Sequence, residues 1–357
     1  PTANLITFEG LTEETPVVED FSNQPSTLYF RPSTNWKEAD ARFAAYFFGT
    51  EAKWLDMTDS DSDGIYEVAN DKTNANVIFC RMNPATTENN WDNKWTQTDD
   101  IVIPNEADNL NTVWVPWQNY NYDQQASGIW VAPTPLTDTN WSDFVTAYKG
   151  KTINAVVERS FVYEQLHTLC LPFNVELHWL GEEAKAYKLN SVVGNSAQEL
   201  SLNASECATM TAGQPYIVKP KKGSEYEYLI VADAAVQNVS AGSYTITGGG
   251  YKVTMQGIAA TPNPAQQTDG STEYWLAMED GCLYKTPTNK LGLRSIIKMT
   301  TTSGAPINVR ARVAFNENVE TGVEDIITTD TPVKVIENGQ LIIIRDGVKY
   351  NVQGQKL

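Results

Sequence analysis

Short runs rich in β-branched and aromatic residues recur along this chain, and few apolar positions repeat at helical spacing. In the first third, "STLYFRP", "ARFAAYFF", "GIYEVAN", "NVIFCRM" and "DIVIP" read as strands, separated by turn clusters such as "DSDSDG" and "NPATTENN". Strands spaced so regularly, without long helical patterns between them, predict an antiparallel β-sandwich from residue 26 to about 131.

The stretch "VAPTPLTDTN" then reads as a polar, Pro-containing linker. It leads into the one helical pattern, where Trp141, Phe144, Val145 and Tyr148 repeat at i, i+3, i+4 and i+7. An Asp or Thr is expected to cap its start and Gly150 to close it. From Lys151 the β pattern returns, in "TINAVVERSFV", "HTLCLPFNVEL", "YEYLIVAD" and "GSYTITGGGYKVTMQGIAA", with Gly248, Gly249 and Gly250 as a hairpin turn. After a polar, Thr-rich connector, Asn338-Gly339 and Asp346-Gly347 divide residues 333–352 into a three-stranded meander. Four consecutive aliphatics, Leu341 to Ile344, need cover on both faces, from the second domain or from a partner protein. The organisation expected is all-β throughout: a sandwich over 1–131, a linker and short helix over 132–150, a larger all-β domain over 151–320, and a tail over 321–357.

Charge and chemistry narrow the function. The 357 residues hold 26 Lys plus Arg against 44 Asp plus Glu, a net charge of −18 that repels phosphate backbones and anionic lipid. Nucleic acid is therefore not expected as a partner, and no run of about 20 apolar residues predicts membrane insertion. No GxSxG, P-loop or GxGxxG is present, and no pair among the acids stands out for glycoside cleavage, so no enzyme activity and no cofactor is expected. Asp59, Asp61 and Asp63 alternate like the first half of a calcium loop. Asn70 stands where the bidentate Glu belongs, however, so the segment reads as a solvated turn and no metal is expected. Cys80 and Cys170 lie inside apolar runs and read as buried free thiols.

Tryptophan is concentrated at one end. Of 10 Trp, Trp36, Trp54, Trp91, Trp95, Trp114, Trp117, Trp130 and Trp141 fall in the first 141 residues. If 42–48 is a strand, Phe43, Ala45 and Phe47 share one face while Ala44, Tyr46 and Phe48 share the other. A one-sided core needs only one of these sets. Trp54, Trp91 and Trp95 sit among polar turn residues, and aromatic faces with amide rims are the chemistry of sugar binding.

At these residues the sequence resembles a known family. "LYFRPSTNW", "ARFAAYFFG", "KWLDMTDSDSDGIYEV" and "NVIFCRMNP" followed by "NNWDNKWTQTDDI", over about residues 27–115, resemble the starch-binding carbohydrate-binding module family 26. The version resembled is the one in exported surface proteins of glycan-foraging Gram-negative anaerobes. The resemblance implies a non-catalytic β-sandwich that binds an oligo- or polysaccharide, an α-glucan, through Tyr46, Phe48 and Trp54, with further contacts from Asn90, Trp91, Trp95 and Gln97. Phe48 stands where the family more usually has Tyr, and "KWLDM" stands where it often has Trp-Pro-Gly. "TLCLPFNVE", "MTAGQPYIVKP" and the ending "NGQLIIIRDGVKYNVQGQKL" are similar to segments of multidomain surface proteins of the same bacteria. They imply a secreted or outer-membrane surface location. The alternative expectation is an adhesion or structural surface protein that keeps the first fold without binding sugar.

Overall fold

The computed structural model describes residues 20–350 except 107–108, 163, 197–198, 222–227, 262–272, 277–281, 286–290, 306, 308–309, 317–332, 338–339 and 346–347. The five expected strands and four further ones are described up to residue 131. They are β1 (Thr27–Phe30), β2 (Arg42–Phe48), β3 (Lys53–Asp56), β4 (Tyr66–Ala69), β5 (Asn76–Met82), β6 (Lys94–Gln97), β7 (Ile101–Val102), β8 (Val113–Pro116) and β9 (Gly128–Val131). One sheet has the order β4-β1-β8-β9, with β1 and β8 parallel. The other has the order β3-β2-β5-β6, and β7 also pairs with β5.

Alternation along β2 and β5 decides what lies between the sheets. Phe43, Ala45 and Phe47 of β2 and Val77 and Phe79 of β5 meet Leu28, Phe30, Val68 and Trp114 of the facing sheet. Phe30 stacks on Phe79 with ring centres 4.8 Å apart and meets the edges of Trp36 and Phe43 at 6.1 and 5.6 Å. On the other face of the same strands Ala44, Ile78, Cys80 and Met82 are also buried. A sheet apolar on both faces needs a second cover. The turn between β3 and β4 is built by its own acids: Asp59 accepts N–H groups from Asp63 (3.1 Å) and Gly64 (3.0 Å), and Asp63 accepts that of Ile65 at 2.7 Å. The carboxylates of Asp59, Asp61 and Asp63 lie within 4.8 Å of one another.

The expected helix is α1 (Trp141–Tyr148), with all four periodic residues buried. Its cap differs from the expectation. Asn140 occupies the N-cap, and its side chain bonds backward, accepting from Thr137 N–H at 2.8 Å and donating to Pro135 O at 2.9 Å. The helix packs in a core with Leu169, Phe173, Val231 and Ile153, the last from β10 (Thr152–Val157). Beside it a ten-stranded sheet runs from His167–Leu169 at one edge to Ser243–Gly248 at the other. Its strands Glu199–Cys207 and Arg310–Asn316 lie parallel, and Gly249 (φ 58°) with Gly250 (φ 85°) makes the expected tight hairpin. Cys80 and Cys170 are buried free thiols, each pushed up to about 12 by burial. Among the described residues no helix is long and apolar enough to cross a membrane.

The segment 132–138 is not the free linker expected. Ala132 N–H donates to Asn154 O (2.9 Å), Leu136 N–H to Val156 O (2.8 Å), and the Asn154 amide to Trp130 O at 2.7 Å. Beside it Val113, Val115 and Val131 share one buried cluster with Val156, Tyr228 and Ile230. The Arg31 guanidinium lies 4.9 Å from the Tyr228 ring centre and bonds Glu158 at 2.9 Å. Polar spacing in sequence does not forbid backbone pairing, and here the pairing joins the sandwich to the second β region. The chain thus divides into a unit ending at Asn316 and a unit over Glu317–Leu357. In the latter, Val333–Glu337, Gln340–Arg345 and Val348–Tyr350 pair antiparallel as a meander. The turns expected at Asn338-Gly339 and Asp346-Gly347 lie outside the described residues.

A 1–131 fragment would expose Val113, Val115 and Val131, each worth about 1.5–3 kcal/mol when buried. Its calorimetric melting temperature should therefore fall well below that of the sandwich in the intact chain. An equal melting temperature for the fragment refutes the shared core. A pH dependence is expected from His167. Burial, opposed by its bond to Val162 and assisted by Arg159 and Arg294, pushes its imidazole down from 6.5 to about 4. The folded state therefore refuses a proton that the unfolded chain accepts below 6.5. Stability is full above that pH and is lost as pH falls toward 4. Melting temperatures recorded across this window should fall less steeply for His167→Gln than for the natural chain.

Candidate functional site

The second cover demanded by β2 and β5 is aromatic. Tyr46 and Phe48 alternate outward from β2, and register sets Trp54 of β3 directly opposite Tyr46. All three are half-buried and lie on Ala44, Ile78, Cys80 and Met82. Tyr46 stacks beside Phe48 at 5.9 Å and meets Trp54 at 4.9 Å. Trp91 comes from the loop between β5 and β6 and sets its ring edge-to-face against both Tyr46 (4.7 Å) and Trp54 (4.8 Å). It keeps 45% of its surface exposed. Pairs of this kind contribute about 0.5–1.5 kcal/mol beyond their buried area, so the rings hold one another in place.

The loop carrying Trp91 is fixed by a residue that the sequence did not single out. Arg42, at the start of β2, donates to the carbonyls of Thr86 (2.8 Å) and Glu88 (2.8 Å), bonds Asn89 Oδ1, and meets Asp56 at 3.4 Å. Asn89 also donates to Asp56 at 3.0 Å. Asn90 accepts from Asn93 N–H at 2.9 Å, and Asn93 donates to Glu88 O at 3.0 Å. Asn90 therefore builds the loop as well as rimming it. The only sequence signal for Arg42 was a guanidinium opening an otherwise aromatic strand. Lys94, likewise unforeseen, sets its ammonium 5.0 Å from the Trp91 ring centre and bonds Gln97 Oε1. Gln97 pairs in register with Cys80, so it shares the aromatic face.

Of the six residues expected at one site, Tyr46, Phe48, Trp54, Trp91 and Gln97 lie on that face, and Trp95 does not join them. Arg81 pairs with Thr96 and Met82 with Lys94, which leaves Trp95 as the extra residue of a bulge in β6. Strict alternation puts residues 95 and 97 on the same face, and the bulge breaks that rule. Trp95 lies instead over Arg81, 4.5 Å from guanidinium to ring centre, on the face opposite Cys80.

Removing the anchor should loosen the loop without unfolding the sandwich. Arg42→Ala is expected to speed amide exchange over residues 83–93 and to red-shift tryptophan emission, with Arg42→Lys rescuing little because a single ammonium cannot span the carbonyls that the fork spans. Unchanged exchange in Arg42→Ala refutes the anchoring role.

No protein-family model matches this chain, and neither a curated protein nor a solved structure matches it.

Proposed function

We propose that the chain is a non-catalytic glycan-binding protein whose first sandwich holds the sugar site. The observation that carries this reading is the contiguous set of Tyr46, Phe48, Trp54 and Trp91 rings on the outer face of one sheet, with Trp91 partly open to solvent. Pyranose rings present flat patches of C–H groups that stack on such faces, and the amides of Asn90 and Gln97 nearby suit hydroxyl groups. The likeness of residues 27–115 to carbohydrate-binding module family 26 makes a starch-like α-glucan the ligand in this reading, and a secreted or outer-membrane surface the location. Residues 151–316 then act as a spacer or a surface for partner proteins.

A second reading, a surface or adhesion protein that keeps the fold without binding sugar, is favoured by one observation. Tyr46, Phe48 and Trp54 are packed on Ile78, Cys80 and Met82. Trp91 sets its ring edge-to-face on Tyr46 and Trp54 at interplanar angles of 67° and 69°, so part of the ring area is taken up as cover within the protein. Titration with maltoheptaose separates the two. Trp91→Ala should weaken binding about tenfold, equivalent to about 1.4 kcal/mol, with an unchanged circular dichroism spectrum. Equal affinity in the variant, or no binding by the natural chain, favours the second reading.

A further inference from the structure

Trp95 belongs to a different place. On the far side of β5 it lines an open hollow of about 430 Å³ together with Glu38, Ala39, Arg81, Tyr122 and Asp123. Trp95 and Tyr122 are 42% and 55% exposed, unusual for large aromatics, whereas Arg81 keeps only 2% of its surface in contact with solvent. The guanidinium is held within 4.5 Å of the Trp95 ring centre and 5.8 Å of the Tyr122 ring centre. Its Nε donates to Trp36 O at 2.7 Å and its Nη2 to Glu38 O at 2.6 Å.

The two walls are fastened to each other. Trp36 Nε1 donates to Asn121 O at 3.1 Å, Asn35 N–H to Asn119 Oδ1 at 3.1 Å, and Ser33 Oγ to Tyr120 O at 3.2 Å. Between them Ala39 (φ 58°) and Asp40 (φ 52°) are consecutive non-glycine residues in the left-handed region. Such a conformation persists where surrounding contacts impose it, and it clusters at ligand sites. The hollow is therefore a shaped concavity and not a gap between mobile loops.

Its chemistry selects the ligand. A cation between the rings is excluded because Arg81 already occupies that position. An anion meets the carboxylates of Glu38 and Asp123 as well as the guanidinium. A neutral polyhydroxylated ring suits every group present: C–H faces on Trp95 and Tyr122, hydroxyl donors toward Glu38 and Asp123, hydroxyl acceptors toward Arg81. We propose that this hollow is a second saccharide site, separated from the Tyr46–Trp91 face by the thickness of the sheet. The inference rests on the reading that the sandwich binds sugar and adds to it a second point of attachment. Two sites on one rigid domain let a long glucan bind with an avidity that neither site alone supplies.

Calorimetric titration of the full chain with maltoheptaose tests this directly. The natural chain should take two sugars. Tyr122→Ala and Trp95→Ala should each weaken one of the two binding events at least tenfold and leave the other unchanged. Trp91→Ala should weaken the other event about tenfold, and the pair Trp91→Ala with Tyr122→Ala should weaken both. Tyr122 projects from a loop and stacks on no neighbouring ring among the described residues, so it tests the hollow even where Trp95→Ala lowers the melting temperature. Retention on insoluble starch should fall at least tenfold in either single-site variant, beyond the loss seen with the short sugar. A single binding event that Tyr122→Ala leaves unchanged and Trp91→Ala weakens overturns the second site while the aromatic face stands. If Tyr122→Ala weakens a single binding event and Trp91→Ala leaves it unchanged, the hollow stands and the aromatic face falls. A natural chain that takes no sugar overturns both.

Discussion

Everything around the candidate site depends on one constraint: β5 is buried on both of its faces. Its sequence "NVIFCRM" sends Val77 and Phe79 into the sandwich core and Ile78, Cys80 and Met82 the other way. The facing sheet covers the first set. Among the described residues no second sheet covers the other set, so leaving it bare would expose side chains worth about 1.5–3 kcal/mol each. The rings of Tyr46, Phe48 and Trp54 provide that cover from β2 and β3, and Trp91 closes it from a loop. The same rings that serve stability are those proposed to meet a ligand. The cover of the core and the candidate site are therefore the same rings, and Trp91 is the member with most surface left exposed.

Loop placement obeys the same constraint. A long turn carrying Trp91 adds chain entropy unless something immobilises it. Arg42 supplies that by spreading its fork over the carbonyls of Thr86 and Glu88, where the planar guanidinium matches several acceptors at once. Arg81 does the equivalent service on the opposite side of the sheet, binding Trp36 O and Glu38 O under the rings of Trp95 and Tyr122. Two arginines, each at an end of a central strand, thus hold the two aromatic surfaces of the domain.

The sandwich is also not a free-standing bead. Val113, Val115 and Val131 meet Val156 and Ile230 in a buried cluster, and the Pro-containing stretch after β9 pairs its backbone with β10. Polar composition in that stretch reflects its turns, not a lack of contacts. The sandwich is accordingly held at a defined orientation to the second β region, at least up to Asn316.

Strand periodicity was legible residue by residue. The alternation of Phe43, Ala45 and Phe47 against Tyr46 and Phe48, the helix of Trp141, Phe144, Val145 and Tyr148, and the turn at Gly249-Gly250 all arise from local spacing. These features depend on neighbours along the chain, and the chain prints them. The grouping of the rings was readable in part, because strand register set Trp54 beside Tyr46 through a short connection. Three things were decided only in tertiary structure. The bulge in β6 sent Trp95 to the face away from Gln97, since one unpaired residue reverses every side chain beyond it. The anchoring roles of Arg42 and Arg81 depend on carbonyls more than 40 residues away in sequence. The closure of the stretch 132–138 onto β10 is set by hydrogen-bond partners that composition does not encode. Local spacing determines which way a side chain points; only the folded chain determines what it meets there.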